Sequence, residues 1–266
     1  MRVIITKNYQ EMSKLGAQII ARQLTRKPKA VLGLATGGTP EGTYQELIRM
    51  HQKENLDFSK VTTFNLDEYV GLEPEHPQSY YYFMCDKLFN HVNINKERVY
   101  VPAGICENFE AYCQWYEQEI MKAGGIDLQL LGIGSDGHIA FNEPGSSLGS
   151  RTRVVTLHPQ TRRDNARFFD READVPYFAV TMGVGTILEV KELLLLANGE
   201  KKAEPVAAFI EGPVTSQITA SALQLHPKAT VILDEGAASK LKNIEMYKFA
   251  WENRHRIKDF TKQFDL

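Results

Sequence analysis

Residues 127–145 read DLQLLGIGSDGHIAFNEPG. After Asp127 the stretch is apolar but for Gln129 as far as Leu131, and Leu130 and Leu131 are adjacent, not alternate. A strand with one wet face alternates apolar and polar residues, so continuous apolarity marks a strand covered on both faces, as in a parallel sheet. At Gly132 the apolar run gives way to a glycine-rich loop. ELLLLA at 192–197 repeats this pattern before Asn198 and Gly199. Strands are expected at Arg2–Ile5, Ala30–Ala35, Val61–Asn65, Asp127–Ile133, Arg153–Leu157, Tyr177–Met182, Leu193–Ala197 and Thr230–Leu233.

Helical periods lie between them. Met12, Leu15, Ile19 and Leu24 make one apolar stripe, and Tyr44, Leu47 and Ile48 a second. Phe109, Tyr112, Cys113, Tyr116 and Ile120 make a third. These stripes read as core. Strand–helix alternation predicts an α/β fold: a doubly wound, mostly parallel Rossmann-like sheet with helices on both faces. Without repeats or a Pro/Ser-rich linker, residues 1–266 read as a single domain. The segment from about 237 to 266 reads as helical, packed on the surface and frayed at its charged end, WENRHRIKDFTKQ.

The 266 residues carry 31 Lys+Arg against 33 Asp+Glu, a net charge of −2, with 43% hydrophobic residues. That balance excludes a polybasic nucleic-acid coat and a disordered chain. It leaves room for one small anion, which a few local cations can hold. Cys85, Cys106 and Cys113 have neither disulfide nor zinc spacing and read as free thiols in a reducing compartment. The N-terminal apolar run is too short for a signal-peptide core, and no run approaches a membrane span. A cytoplasmic protein is expected, with no nucleic-acid or membrane partner.

Ligands of such sheets bind where strands deliver their C-terminal ends into loops. The strand Ala30–Ala35 runs into Thr36-Gly37-Gly38-Thr39-Pro40. Thr39 reads as an N-cap and Pro40 as the first helical residue. Two glycines, two hydroxyls and a helix N-terminus suit a phosphate cradle, and they equally suit a plain tight turn. No Gly-Lys-Ser/Thr is present, so ATP is not indicated. After Val61–Asn65 come Asp67 and Glu68. Successive side chains of an extended segment point opposite ways, so one of the two is expected to be catalytic, or both serve as a cap and its neighbour.

The third loop carries Asp136, His138 and Glu143. GIGSDG matches a dinucleotide fingerprint by letters only, because Pro144 interrupts the long helix that motif needs and no acid follows at the required distance. Carboxylates on either side of a histidine raise its pKa and tune it as an acid or base near neutrality. Asp, His and Glu are also metal ligands, but their spacing fits no familiar metal motif. Catalytic, metal and structural readings stay open on these residues alone. Beyond them, Arg151, Arg153, Arg162, Arg163 and Arg167 cluster, and Lys201 and Lys202 follow the last buried strand but one. Either cation type can hold a phosphate.

Taken together, LGLATGGTPEGTY (32–44), TTFNLDEYVGL (62–72), HPQSYYYFM (76–84), the loop continued to 157, AVTMGVGT (179–186) and LQLHPKATVILDE (223–235) resemble the glucosamine-6-phosphate deaminase family over nearly the whole chain. The resemblance implies a Rossmann-like fold shared with phosphogluconolactonases and ribose-phosphate isomerases. It implies conversion of glucosamine 6-phosphate and water to fructose 6-phosphate and ammonia without a cofactor or metal. Phosphate would sit on Thr36, Gly37, Gly38, Thr39, Arg167 and Lys202. His138, positioned by Asp136 and Glu143, would open the sugar ring, and Asp67 would take the C2 proton. Allosteric members carry a lysine where Val155 stands here. Ser146, Ser147 and Arg153 remain, but a neutral side chain cannot pair with a phosphate. Weak or no activation by N-acetylglucosamine 6-phosphate is therefore expected, and one support for the hexamer of allosteric members is lost, although a homo-oligomer stays compatible. A 6-phosphogluconolactonase-like hydrolase and a non-catalytic sugar-phosphate sensor are the competing readings. The lactonase would not need Asp67, and sensors usually carry an added DNA-binding segment.

Overall fold

Ten strands form in the computed structural model, which describes residues 1–257. In chain order they are β1 (Arg2–Thr6), β2 (Val31–Leu34), β3 (Thr62–Asn65), β4 (Asp67–Tyr69), β5 (Val99–Tyr100), β6 (Leu128–Leu131), β7 (Arg153–Thr156), β8 (Phe178–Thr181), β9 (Leu193–Ala197) and β10 (Ala229–Asp234). All eight expected strands are present. The short strands β4 and β5 were not expected.

Seven strands make one sheet in the order β1-β10-β9-β6-β2-β3-β5, and each adjacent pair is parallel. β2, β6 and β9 are buried at every residue. Because alternate side chains point to opposite faces, both faces are covered there, as the continuous apolar runs require. The protein is thus of the α/β class with a mostly parallel central sheet. From β2 the chain moves outward to β3 and β5. It then returns to lay β6 on the other side of β2 and continues to β9 and β10. The order reverses between β2 and β6, and a crevice opens there at the carboxyl ends of the strands.

The sheet departs from expectation at β7 and β8. These join β4 in a separate antiparallel sheet, in the order β4-β8-β7. Side chains of β7 alternate between half-buried and exposed, so this strand has one wet face and cannot lie inside a doubly covered sheet. Its inner face closes over a second apolar cluster of Tyr69, Phe141, Leu157, Val175 and Ala179.

The three helical stripes pack as core. The helix Tyr9–Arg26 starts at Asn8, whose side chain accepts the Glu11 N–H at 2.9 Å, and it buries Met12, Ile20 and Leu24. The helix Gly38–Glu54 buries Tyr44, Leu47 and Met50. The helix Phe109–Lys122 buries Cys113, Tyr116 and Ile120. Tyr116 also donates its hydroxyl to the Asn65 carbonyl at 2.8 Å, which pins the end of β3 beside Asp67. The C-terminal segment is helical in two pieces, Glu235–Ala238 and Ile244–Glu252, followed by a short turn of helix to Ile257. Ile244, Tyr247 and Trp251 rest on the main core. The expectation of fraying falls on residues 258–266 and lies outside the described residues. Among the described residues, no helix is long and apolar enough to cross a membrane. All three cysteines are free thiols.

Candidate active site

β2, β3, β6 and β9 deliver their C-terminal loops to one cleft of about 1080 Å³ at the point where the strand order reverses. Eight of the ten residues singled out in the sequence line it: Thr36, Gly37, Gly38, Thr39, Asp67, His138, Arg167 and Lys202. Asp136 and Glu143 stand behind His138, in contact with its ring.

At one end lies the β2 turn. The helix begins at Gly38 with Gly37 as its N-cap, two residues earlier than a cap at Thr39 would place it. Pro40 is accordingly the third helical residue and not the first. Gly37 has φ of 97°, a left-handed conformation that side chains disfavour, and it offers no side-chain cap. A Cβ built on Gly37 or Gly38 would meet no atom within 4 Å, so both glycines border open cleft. The first-turn N–H groups and the positive end of the helix dipole are thereby presented to an anion. Thr39 donates its hydroxyl to the Asn198 side chain at 2.9 Å, tying this turn to the loop after β9.

Lys202 ends the short helix Glu200–Lys202 in that loop. Burial pushes its ammonium below the ordinary lysine range; Asp164 opposes the fall, Arg167 adds to it and Asp136 offsets it. A half-buried cation of this kind gains from an arriving phosphate dianion. Arg167 lies on an adjacent short helix, exposed at the cleft. The other arginines of the cluster do not line the cleft. Arg151 pairs with Glu117 and Glu189. Arg153 donates to Asn142 and Ser146, and Arg162 stacks on Tyr177 and donates to the Val175 carbonyl. Arg163 donates to Gln160. Val155 packs against the second apolar cluster.

The loop after β6 forms no helix from Gly132 to Ser150, which disposes of the dinucleotide fingerprint. A Cβ on Gly134 would lie 2.4 Å from the His138 ring, so only glycine lets the imidazole lie against this backbone. Ala140, two residues on, holds φ of 50°, a strained value for a residue with a side chain. His138 Nδ1 lies 2.7 Å from Asp136 Oδ1 and 3.6 Å from Glu143 Oε2. The closer approach is an ion contact off the line of a ring N–H bond, so Nδ1 keeps no aligned partner. Glu143 Oε1 accepts the His158 N–H at 3.0 Å, while its Oε2 is buried without a hydrogen bond. Burial alone would raise Asp136, but the close ring and charge of His138, with its backbone N–H donated at 3.1 Å, outweigh it and hold that carboxyl at about 2. The Asp136, His138 and Glu143 donor atoms lie within 4.8 Å of one another, close enough to share a cation. Each also has a use without one, since both carboxylates face one imidazole.

Asp67 and Glu68 divide their work as alternation requires. Glu68 turns away from the cleft and accepts backbone N–H groups from Tyr69, Tyr80 and Tyr81 at 2.9, 2.9 and 3.0 Å. It caps the helix Tyr80–Lys87. Asp67 faces the cleft, only 7% exposed, and burial followed by the charge of Glu68 raises its pKa to about 8. A carboxylate so placed is a far stronger base than an ordinary aspartate.

Other lining residues carried no usable signal in the sequence. Tyr9 opens the preceding helix, yet its hydroxyl donates to the Gly38 carbonyl at 3.1 Å and accepts the Gly42 N–H at 2.7 Å. Tyr69, Tyr80, Phe141 and Phe169 form an aromatic wall with ring centroids 4.9–6.0 Å apart. Aromatic residues in a mixed run read as core, and only tertiary placement turns them toward a cleft.

Residues 6–233 match the family described as glucosamine-6-phosphate isomerases/6-phosphogluconolactonase. The chain is 53% identical over 251 residues to a glucosamine-6-phosphate deaminase of Thermoanaerobacter pseudethanolicus, covering 92% of this chain and 99% of the relative. It is 54% identical over 242 residues to one from Clostridium perfringens, covering 91% and 100%. A solved structure of a monomeric glucosamine-6-phosphate deaminase superposes with a TM-score of 0.89 at 51% identity, covering 90% of this chain and 100% of the other. A 6-phosphogluconolactonase from Leishmania guyanensis shares the fold at 23% identity and a TM-score of 0.69, covering 89% and 97%. With its cleft at the reversal of a parallel sheet and its near full-length agreement with these relatives, the chain belongs to the glucosamine-6-phosphate isomerase/6-phosphogluconolactonase family.

Proposed function

We infer that this chain converts glucosamine 6-phosphate and water to fructose 6-phosphate and ammonia. One observation carries the choice within the family: a buried carboxylate of raised pKa, Asp67, faces the same cleft as the His138 loop and the uncapped helix start. Lactone hydrolysis needs no carbon base, whereas isomerisation does.

Phosphate sits on the N–H groups after Gly37 and on Lys202 and Arg167, and its binding fixes the sugar for the chemistry. His138, with Nδ1 turned to Asp136 and Glu143, works through Nε2. It moves a proton from the C1 hydroxyl to the ring oxygen, and the C1–O5 bond breaks to give the open-chain aldehyde. Asp67 takes the C2 proton, and the electron pair shifts to the C1 carbonyl oxygen, which takes a proton from the sugar's own ammonium group to give an enolamine. Reprotonation at C1 leaves a C2 imine. Water adds to C2, the C–N bond breaks, and ammonia departs. Every step is proton transfer, addition or elimination, so the scheme needs no cofactor or metal.

Lys202→Met tests the phosphate end. KM for glucosamine 6-phosphate should rise ~10–100-fold with kcat within about threefold, because a remote anchor contributes to binding in ground and transition states alike. Steady-state ammonia release checks this. Equal KM in the two proteins would move the phosphate elsewhere.

With Val155 packed on the second apolar cluster and Arg153 engaged by Asn142 and Ser146, a phosphate effector finds no lysine here. Rate curves should be hyperbolic and unchanged by N-acetylglucosamine 6-phosphate. Strong sigmoidality relieved by that ligand contradicts this.

Incubation with glucosamine 6-phosphate, with parallel assay of 6-phosphogluconolactone, decides between the two family activities. Ammonia and fructose 6-phosphate are the expected products, and lactone hydrolysis alone would reverse the assignment.

A further inference from the structure

We propose that Glu68 is a positioning residue whose charge tunes Asp67 as the carbon base while its carboxylate fixes the adjoining wall of the cleft. The proposal rests on the deaminase reading and goes beyond it, since Glu68 lies outside the cleft and touches no substrate.

The geometry has two parts. Glu68 is 2% exposed, and its two oxygens accept three backbone N–H groups. Two of these belong to Tyr80 and Tyr81, and the third N–H of that helix, from Tyr82, goes to the Ser79 hydroxyl at 3.0 Å. The start of the helix is thereby fully satisfied by one glutamate and one serine. Pro77, Gln78, Ser79, Tyr80 and Phe83 of this segment line the cleft. Glu68 therefore bolts a cleft wall to the strand that carries Asp67.

The second part is electrostatic. Asp67 and Glu68 are adjacent on β4, and both are buried. Tyr69, Tyr80, Tyr112 and Tyr116 feel the charge of one or both acids, and all four are held above the ordinary tyrosine range, first of all by burial. They are neutral wherever an enzyme of this kind works. Glu68 is thus the charge that sets the basicity of Asp67, in addition to burial. Burial raises Glu68 itself to about 7, against the pull of the three N–H groups, so its charge acts on Asp67 above that pH. Two acids so placed titrate as a coupled pair.

A helix cap alone would not affect where Asp67 ionises, and this separates the two roles. Glu68→Gln removes the charge and keeps the shape. The acid limb of kcat/KM for ammonia release should move down by about one pH unit or more. Glu68→Asp retains the charge with a shorter reach. It should leave the limb in place and reduce kcat, because the wall loses its anchor. A carboxyl NMR titration of the substrate-free protein, with Asp67→Asn to assign the signal, gives the same reading without turnover. It also keeps this inference separate from the assignment of activity: a protein without deaminase activity can still show, or fail to show, the downward shift of Asp67 in Glu68→Gln. An unchanged Asp67 titration in a folded Glu68→Gln overturns the proposal, as does an equal shift in both variants.

Discussion

Asp67→Asn should bind glucosamine 6-phosphate and fail to turn it over. Hydrogen exchange at C2 and ammonia release should both fall by ~10³-fold or more, because general-base catalysis supplies ~10²–10⁴-fold before positioning is counted. Retained C2 exchange would remove Asp67 from the scheme. The same variant should be more stable than the parent at high pH. Asp67 titrates at about 8 in the folded protein against an ordinary value of 3.8. Between these values the folded chain holds a proton that the unfolded chain has lost, so stability falls as pH rises through the window. Above about pH 8 the native state carries the full cost of a buried carboxylate. Asparagine removes that cost, and a gain of ~1–3 kcal/mol at pH 9, vanishing below about pH 4, is expected in denaturant titrations. A stabler, inactive variant is the mark of a site that trades stability for reactivity.

The pH profile follows from the same group. In the free enzyme kcat/KM should rise through about pH 8 as Asp67 ionises. The amine of the bound sugar, when protonated, favours the ionised carboxylate, so the limb of kcat should lie lower than that of kcat/KM.

His138→Asn should be the second large loss. Ring opening needs a group that gives and takes a proton near neutrality, and its removal should reduce kcat/KM ~10²–10⁴-fold. Stability should suffer as well, with a distinctive pH dependence. Burial raises Asp136 and the contact with His138 more than reverses it, to about 2. A carboxylate depressed in the folded state contributes stability above its unfolded pKa and loses it as pH falls through the folded value. The parent should therefore exceed His138→Asn in stability above pH 4, and the difference should close toward pH 2. A constant difference across that range would mean that the imidazole contributes packing and not charge.

Much of this site was legible because its residues sit at strand ends, where local patterns are strong. The apolar runs 128–131 and 193–197 place two strands, and the glycine loops after them hold His138 and Lys202. Alternation along Asp67 and Glu68 separated a cleft-facing acid from a capping one, and the family resemblance had already pointed to Asp67 as the former. The antiparallel sheet was not legible. β4 is three residues long, and its pairing with β8 joins positions more than a hundred residues apart, which no local period encodes. The half-exposed alternation of β7 was the available signal that this strand lies outside the doubly covered sheet. The early start of the second helix was missed for a different reason. Thr39 is a better cap than glycine by preference, yet here its hydroxyl is used by Asn198, and the turn is left bare on the cleft side.

The near-zero net charge also resolves into places. Lys201, Lys202 and Arg167 stand at the same cleft as Asp67, with Asp136 and Glu143 behind His138. Cations at one subsite and carboxylates around the others suit a substrate with a phosphate at one end and exchangeable protons at the other.

The central claim is tested most directly by running glucosamine 6-phosphate with the protein in deuterated water and measuring ammonia together with the label in the sugar. One ammonia per fructose 6-phosphate, with deuterium entering at C1 of the product and no incorporation by Asp67→Asn, is the predicted result. Absence of ammonia, or deuterium incorporation that persists in Asp67→Asn, would contradict it.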